Sequence, residues 1–314
     1  MTVDINNLQD LGNPLRDLKK TFDESIIPHR PSLWRYCYQL TGSPWDAEDL
    51  VQETLIKAFS SLAQLWQPIN PKGYLFKIAS NTWIDQCRKV KIKMDSFEYH
   101  NEPSYEKEDL SGEVEEAMER LVLHLPPRQR VVLLLVEVFG FKAKEVGEIF
   151  GATEGAIKAL LNRARVRLKE IQLNEEGFNQ LAISEEQRNT ISLFIESFNR
   201  RDPDGIAKLL DENVSNDIVH IAQEFGKDTV RSYSLTDWAK DPVEMKAEVH
   251  ILWGKPTIVQ IGEMNNCLGV YNLNLIEIDS GRIITVKDYY FCPELLKEAA
   301  KELQLSVFSR NYVM

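Results

Sequence analysis

The sequence predicts a multidomain protein: an all-α helical bundle, an all-α unit built around a helix-turn-helix, and a C-terminal α+β cone with a curved antiparallel sheet. Three observations predict it. Apolar residues recur at helical spacing from about Leu15 to Val90 and again from Glu113 to about Leu173. Farther on, the pattern changes to short runs rich in β-branched and aromatic residues. Polar stretches without periodicity, 94–112 and Asn174 to Gln180, separate the three parts.

The first part, 15–93, carries Leu50, Leu55, Phe59 and Leu62, then Leu75, Ile78, Ala79 and Ile84, each set on one helical face. The acidic stretch 94–112 reads as a flexible linker. The second part, 113–173, contains two helical patterns joined at Phe150-Gly151-Ala152, with Thr153 as N-cap and Glu154 in the first turn. Val146, Ile149, Ile157 and Leu161 are placed to pack those helices together. In the third part, 180–303, Ile191, Phe194, Ile195 and Phe198 mark one helix, and Ile206, Leu209 and Leu210 a second. Strands follow at 214–222, 245–253, 256–262, 267–278 and 282–291, with a hairpin at Asp279-Ser280-Gly281. Helices followed by strands imply an α+β domain.

Composition narrows the function classes. Of 314 residues, 43% are hydrophobic and 27% charged, the balance of a folded globular chain. The longest aliphatic run, Val131 to Val136, is far short of the roughly 20 residues of a membrane span. The opening residues carry neither the basic nor the apolar stretch of a secretory signal, so a cytoplasmic protein without membrane contact is expected. Cys37, Cys87, Cys267 and Cys292 are widely spaced, which points to reduced thiols and no metal site. The net charge is −11, yet it is unevenly spread: +1 over 1–95, −4 over 96–112, +1 over 113–171 and −9 over 172–314. Within the near-neutral parts the bases cluster, Arg88, Lys89, Lys91 and Lys93 in one group and Lys158, Arg163, Arg165, Arg167 and Lys169 in another. Phosphate binding needs a local concentration of Lys and Arg rather than a basic average, so nucleic acid stays open as a partner. A solvated helix face is the bland alternative. In the helix-turn-helix, the second helix carries Lys158, Asn162, Arg165 and Lys169 on one face, a pattern suited to the major groove.

Three strings add to this: Asp46 to Thr54 (DAEDLVQET), Gly73 to Asn81 continuing to Asp85 and Arg88, and Leu125-Pro126-Pro127-Arg128-Gln129-Arg130. Together they resemble the extracytoplasmic-function (ECF) group of bacterial sigma factors, which keeps regions two and four of the larger family, over residues 15–171. The resemblance implies a promoter-specificity subunit of RNA polymerase. It implies that Asp46, Asp49, Gln52 and Glu53 dock the β′ clamp helices of the polymerase core, with the β flap as a further contact. It also implies that Tyr74, Asn81, Trp83, Asp85, Arg88, Lys89 and Lys91 handle the minus-ten element, where an amide for base edges, cations for phosphate and aromatics for stacking are needed. For Tyr74 and Trp83, core packing is at least as good a reading. Thr153, Lys158, Asn162, Arg163, Arg165 and Arg167 fall at the minus-thirty-five element, although Ala159 and Leu160 replace the family's usual Ser and Arg.

The C-terminal part, with FIESFNRRDPDGIAKLL near its start and DSGRIITVKDYY near its end, resembles SnoaL-like members of the NTF2-like superfamily. The resemblance implies a cone with an apolar pocket, for which Asp217, Trp253, Tyr271 and Asp288 are candidate lining residues and a small molecule a candidate ligand. His220 and His250 are weaker candidates. No spacing singles out an acid–base pair, so neither catalysis nor a cofactor is expected. The resemblance further implies an in-chain regulator acting through contact with the sigma regions, and an acidic C-terminal segment, −9 over 172–314, tethered beside basic DNA-reading patches has the right sign for this. Two other readings stay open: a bifunctional protein with a catalytic C-terminal domain, and a helix-turn-helix regulator that needs no polymerase.

Overall fold

Caps and prolines set the helix starts. Ser43 precedes Pro44, and its hydroxyl accepts the amide of Asp46, so α3 (Pro44–Ser61) starts sharply. Gly42 ends α2 (Arg30–Thr41) at φ 77°, a left-handed conformation that costs glycine little, and its amide donates to the Tyr38 carbonyl. With α1 (Gly12–Ile26) and α4 (Pro71–Ser96) these form the first bundle. This computed structural model describes residues 12–62, 70–96, 122, 124–170, 184–264 and 267–308. The expected linker 94–112 lies outside the described residues apart from 94–96, which close α4.

The second helical segment starts at Pro127. Helix α5 (Pro127–Leu133) runs into a π turn, Leu134–Val138, and is followed by α6 (Ala143–Phe150) and α7 (Glu154–Glu170). The two helical segments share one hydrophobic core: Leu33, Tyr36, Leu40, Leu75 and Phe76 belong to the same cluster as Val131, Leu135, Val146 and Ile157. All nine are buried, and each fully buried side chain of this size contributes roughly 2 kcal/mol. By its contacts the chain divides into two compact units, one ending at Phe178 and the other spanning Asn179–Val313.

The second unit opens with α8 (Glu185–Asn199), capped reciprocally by Ser184 and Gln187, and the short α9 (Pro203–Ala207). Its sheet consists of β1 (Leu210–Ile218), β2 (Ala222–Phe225), β3 (Met245–Leu252), β4 (Lys255–Met264), β5 (Cys267–Asp279), β6 (Arg282–Asp288) and β7 (Ser306–Val307). Helices α10 (Lys227–Ser232) and α11 (Ser234–Lys240) separate β2 from β3, and α12 (Pro293–Glu302) precedes β7. The strand order is β2-β1-β6-β5-β4-β3, with β7 beside β5. The expected hairpin at Asp279-Ser280-Gly281 is present, with Ser280 and Gly281 both at positive φ, as a two-residue turn requires.

Two expectations need correction. The sheet is not wholly antiparallel: β1 runs parallel to β6, and β7 parallel to β5. Strand β1 pairs with β2 on one side and with the last long strand, β6, on the other, and the second pairing is a choice that a local pattern does not reveal. The helix marked by Ile206, Leu209 and Leu210 ends at Ala207, and Leu210 already starts β1. Register shifts in the β1–β6, β4–β5 and β5–β6 pairs bend the sheet. Its inner face packs Val214, Ile258, Ile283 and Val286 against Phe194 and Phe198 of α8.

Candidate nucleic-acid interface

Helix α3 carries its acidic string in two roles. Ala47, Leu50, Val51 and Thr54 face the core, which turns Asp46, Asp49, Gln52 and Glu53 outward. Asp46 is exposed and the other three are half-buried. Ile56 continues this stripe at i+4 from Gln52 and is 61% exposed, an apolar end to a polar face. Glu53 also reaches the neighbouring helix: its carboxylate accepts from Lys57 at 2.6 Å and from Gln86 of α4 at 2.7 Å.

On α4 several residues that the resemblance assigns to the minus-ten element share one outward face. Asn81, Asp85, Arg88 and Lys89 are all exposed, and Lys77, one turn earlier, extends the same face. Asp85 and Arg88 pair with each other at 2.6 Å. Lys91 lies on α4 beyond Val90, the last residue there whose side chain is described. The aromatics differ from the expectation of a stacking surface. The Tyr74 hydroxyl donates to the Ala58 carbonyl at 3.1 Å, tying α4 to α3. Trp83 is only 6% exposed, with the Arg130 guanidinium 5.0 Å from its ring centroid, so it belongs to the core rather than to the exposed stripe.

The helix-turn-helix forms as its glycines and cap dictate. Gly151 sits at φ 61° and closes α6, and a Cβ on Gly147 would lie 2.6 Å from the Ala152 carbonyl oxygen, so the turn packs directly on the preceding helix. The Thr153 hydroxyl accepts the Ala156 amide at 3.2 Å and caps α7. Val146, Ile157 and Leu161 are buried between the helices, which leaves Lys158, Asn162, Arg163, Arg165 and Arg167 exposed along α7. Lys158 pairs with Glu154 at 2.6 Å, and this bond holds the Glu154 carboxyl below its usual range. Arg165 pairs with Glu137. An exposed basic helix following a tight turn is a shape that enters a DNA groove.

Comparison with known proteins matches two segments of the first unit. The family described as Sigma-70 region 2 matches residues 26–91, and Sigma-70 region 4 matches residues 115–168. The ECF RNA polymerase sigma factor SigL of Mycobacterium tuberculosis is 30% identical over 51% of this chain and 90% of its own length. The chain belongs to the ECF sigma factors. The sigma factor is also 29% identical to SigE of Mycolicibacterium smegmatis, over 48% of this chain, and the match spans 61% of that relative. A solved structure, SigJ of M. tuberculosis, is similar over 82% of this chain and 92% of its own, at 17% identity and a TM-score of 0.33.

In this sigma factor the residue of the acidic string most deeply engaged is one that outward-facing chemistry does not single out. Glu48 is fully buried, with its carboxylate 2.7 Å from Arg30 and 2.8 Å from the Trp34 indole nitrogen of α2. Its charge adds to burial in pushing the adjacent Cys37 thiol well above its ordinary pKa. The available signal was periodicity: Glu48 stands beside Ala47 and one turn before Val51, on the core side.

The C-terminal candidates are dispersed. Asp217 lies on the opposite face of β1 from the buried Val214 and Asn216, Trp253 sits at φ 47° in the tight turn between β3 and β4, and Tyr271 is the extra residue of the bulge between β4 and β5. The Tyr271 hydroxyl donates to Asp241 at 2.7 Å, and burial pushes its pKa upward. His220 stands at φ 73° in the turn after β1, and His250 on β3 lies 3.6 Å from Glu248. Only Asp288 joins a polar cluster on the inner face, with Asn272 and Asn274 bonded to its carboxyl and Gln260 donating to Asn274 at 2.6 Å. Asn216 donates to Glu224 at 2.9 Å in the same sheet. Asn272, Asn274, Gln260 and Asn216 went unrecognised; two asparagines at i, i+2 in the apolar run Val270 to Ile276 were the available signal.

Burial pushes the Asp288 carboxyl above the ordinary range, against the bonds from Tyr290, Asn272 and Asn274, which pull it down. The folded unit therefore favours the protonated form more than the unfolded chain does. Its stabilising effect is complete below the unfolded value of about 3.9 and is lost as pH rises through the folded value. Asp288→Asn, which keeps an acceptor for the Tyr290 amide, is expected to raise the melting temperature of this unit by a few degrees at pH 7 and by nothing at pH 3.5. Thermal unfolding across that range checks it, and an equal shift at both pH values refutes it.

Proposed function

We propose that this ECF sigma factor docks on RNA polymerase core through α3, engages the minus-ten element with α4 and the minus-thirty-five element with α7, and so directs transcription initiation. The observation that carries the reading is that one unit presents three differently charged helix faces: the acidic, amide-bearing stripe of α3, the Asn81-Asp85-Arg88 stripe of α4 and the basic face of α7. An acidic stripe suits Arg and Lys side chains of a partner helix, where charge matching sets docking rate and orientation. On α4, Asn81 offers an amide to a base edge, while Arg88, Lys89 and Lys77 offer cations to phosphate. On α7, Arg163, Arg165 and Arg167 grip phosphate, whereas Thr153, Lys158 and Asn162 stand in the first turns, where base edges come within reach. A regulator acting on duplex DNA alone would leave the acidic stripe of α3 without a use.

The unit from Asn179 onward, by this proposal, modulates the sigma regions within the chain. Its −7 charge supports the reading, since a tethered acidic domain competes with promoter phosphate at high effective concentration. The Asp288 cluster supports ligand sensing through that same domain, since convergent buried polar groups fix the orientation of a small molecule.

In vitro transcription with core polymerase, comparing the full chain with a truncation at residue 173, tests both parts. Both forms are expected to start transcripts at defined sites, and the truncation to differ from the full chain by roughly tenfold or more, the size of a coupling of about 1.4 kcal/mol. Absence of transcripts from both forms overturns the sigma reading. Equal output from both overturns the regulatory one.

A further inference from the structure

Glu53 and Lys57 stand one turn apart on α3, and each holds a residue of α4. The Glu53 carboxylate accepts from the Lys57 ammonium on one oxygen, at 2.6 Å, and from the Gln86 amide on the other, at 2.7 Å. The Lys57 ammonium donates in turn to the Thr82 hydroxyl at 3.0 Å. With the Tyr74 hydroxyl on the Ala58 carbonyl, these bonds form a polar ladder between two helices that run in opposite directions, joining Ala58 to Tyr74, Lys57 to Thr82 and Glu53 to Gln86. The last two rungs have a fixed relation to the outward face of α4. Thr82 directly follows Asn81, and Gln86 directly follows Asp85, so each exposed residue stands about 100° around the helix from a residue bonded to α3. Beyond Trp83 no described side chain of α4 is buried, so the Gln86 bond acts where the apolar core grips the helix least.

We propose that Gln86 and Lys57 are positioning residues for the minus-ten face, fixing the rotation of α4 against α3 through Glu53 and Thr82 so that Asn81 and Asp85 meet the DNA strand at a set angle. The inference deepens the reading of α4 as the minus-ten helix and rests on it. Apolar packing is non-directional and tolerates a small turn of a helix about its own axis. A turn of about 20° swings a side-chain tip at the helix surface, roughly 5–6 Å from the axis, by about 2 Å. Hydrogen bonds to a base edge do not survive that displacement, since donor and acceptor must stay about 3 Å apart. Directional bonds to α3 resist the turn, and each of these two has a charged partner, which makes it stronger than a bond between neutral groups. Each carboxylate oxygen of Glu53 already accepts a bond within the bundle, so this residue of the acidic string serves α4 as well as the outer face of α3.

Promoter opening by the full chain bound to core polymerase tests the proposal. The probe is a duplex from a start site that the unaltered chain uses, carrying 2-aminopurine in its minus-ten element, whose fluorescence rises as bases unstack. Core affinity is measured separately by titration. Gln86→Glu sets two carboxylates against each other and is expected to lower opening roughly tenfold, the weight of one charge-assisted hydrogen bond, with core affinity unchanged. The double variant Glu53→Gln, Gln86→Glu again places an amide opposite a carboxylate, with the two helices exchanged, and is expected to recover most of the opening. Because the carboxylate at position 86 remains in that variant, its recovery does not come from relief of repulsion between that charge and DNA. Lys57→Met removes the Thr82 rung and adds no negative charge, so it is read if Gln86→Glu fails to fold, and a severalfold loss of opening is expected. Unchanged opening in both single variants overturns the proposal, as does a double variant no better than Gln86→Glu, or a loss of opening matched by an equal loss of core affinity. Failure of the sigma reading is distinguishable, because it appears as no start site for the unaltered chain. The crosslink itself is then read by thermal unfolding of the free chain, where purely additive effects of Glu53→Gln and Gln86→Glu overturn it.

Discussion

Glu48→Ala is expected to unfold the first sigma segment at moderate denaturant, with a loss of about 3–5 kcal/mol, the cost of leaving a buried charge without its partner. The physical reason lies in what remains. The Arg30 side chain is 10% exposed and Glu48 wholly buried, so removing the carboxylate strands a guanidinium that the bundle has already desolvated. Trp34 loses its indole acceptor as well. Glu48→Gln keeps one acceptor for Trp34 and abolishes the charge, so its loss is expected to be smaller but still well above the roughly 0.5 kcal/mol of an ordinary surface change. Denaturant unfolding followed by helicity reads both variants. A loss below about 1 kcal/mol for the alanine variant would show that the carboxylate is not what holds α2 to α3. Because Glu48 lies inside the string that carries the proposed docking face, lost polymerase binding by this variant would report a lost scaffold and not a lost contact.

The second large effect is expected at the surface of that same helix. Asp46→Lys together with Asp49→Lys is expected to weaken binding to core polymerase on the order of a hundredfold, about 2.7 kcal/mol, because like charges brought face to face at an interface cost several kcal/mol. Stability is expected to change little. Asp46 occupies the first turn of α3, where an acid interacts with the helix dipole for about 0.5 kcal/mol, and the core residues of the helix are untouched. Titration of core against the labelled chain at two salt concentrations checks the prediction. The wild type should lose affinity as salt rises, and the reversed variant should lose less. Unchanged affinity in a folded variant would remove α3 from the docking surface.

These two variants separate what a motif conflates. The nine residues from Asp46 to Thr54 look like one functional element, yet their periodicity divides them into an outward face and a face for the bundle. The same division applies to α4, where Asn81, Asp85 and Arg88 are exposed and Trp83, two residues after Asn81, is buried. A helix turns about 100° per residue, so an aromatic that stands beside a functional residue in sequence readily points into the core.

Local signals determined the parts. Ser43-Pro44, Gly151 and Thr153 dictated where helices start and stop, and the 3.6-residue spacing dictated which side of α3, α4 and α7 faces outward. The hairpin at Ser280-Gly281 followed from its turn residues. Those signals act over a few residues, which is why the turn at Gly151, the cap at Thr153 and the hairpin are legible in the sequence. The tertiary structure alone decided what the parts do to one another. That Arg130 reaches Leu40 and Trp83, that both helical segments share one core, that β1 lies parallel to β6, and that Asp288 gathers Asn272 and Asn274 while Asp217, Trp253 and Tyr271 lie elsewhere all depend on contacts between residues distant in the chain. Such contacts leave no periodic trace in either partner. Their energy comes from burial and pairing that exist only once the chain has folded.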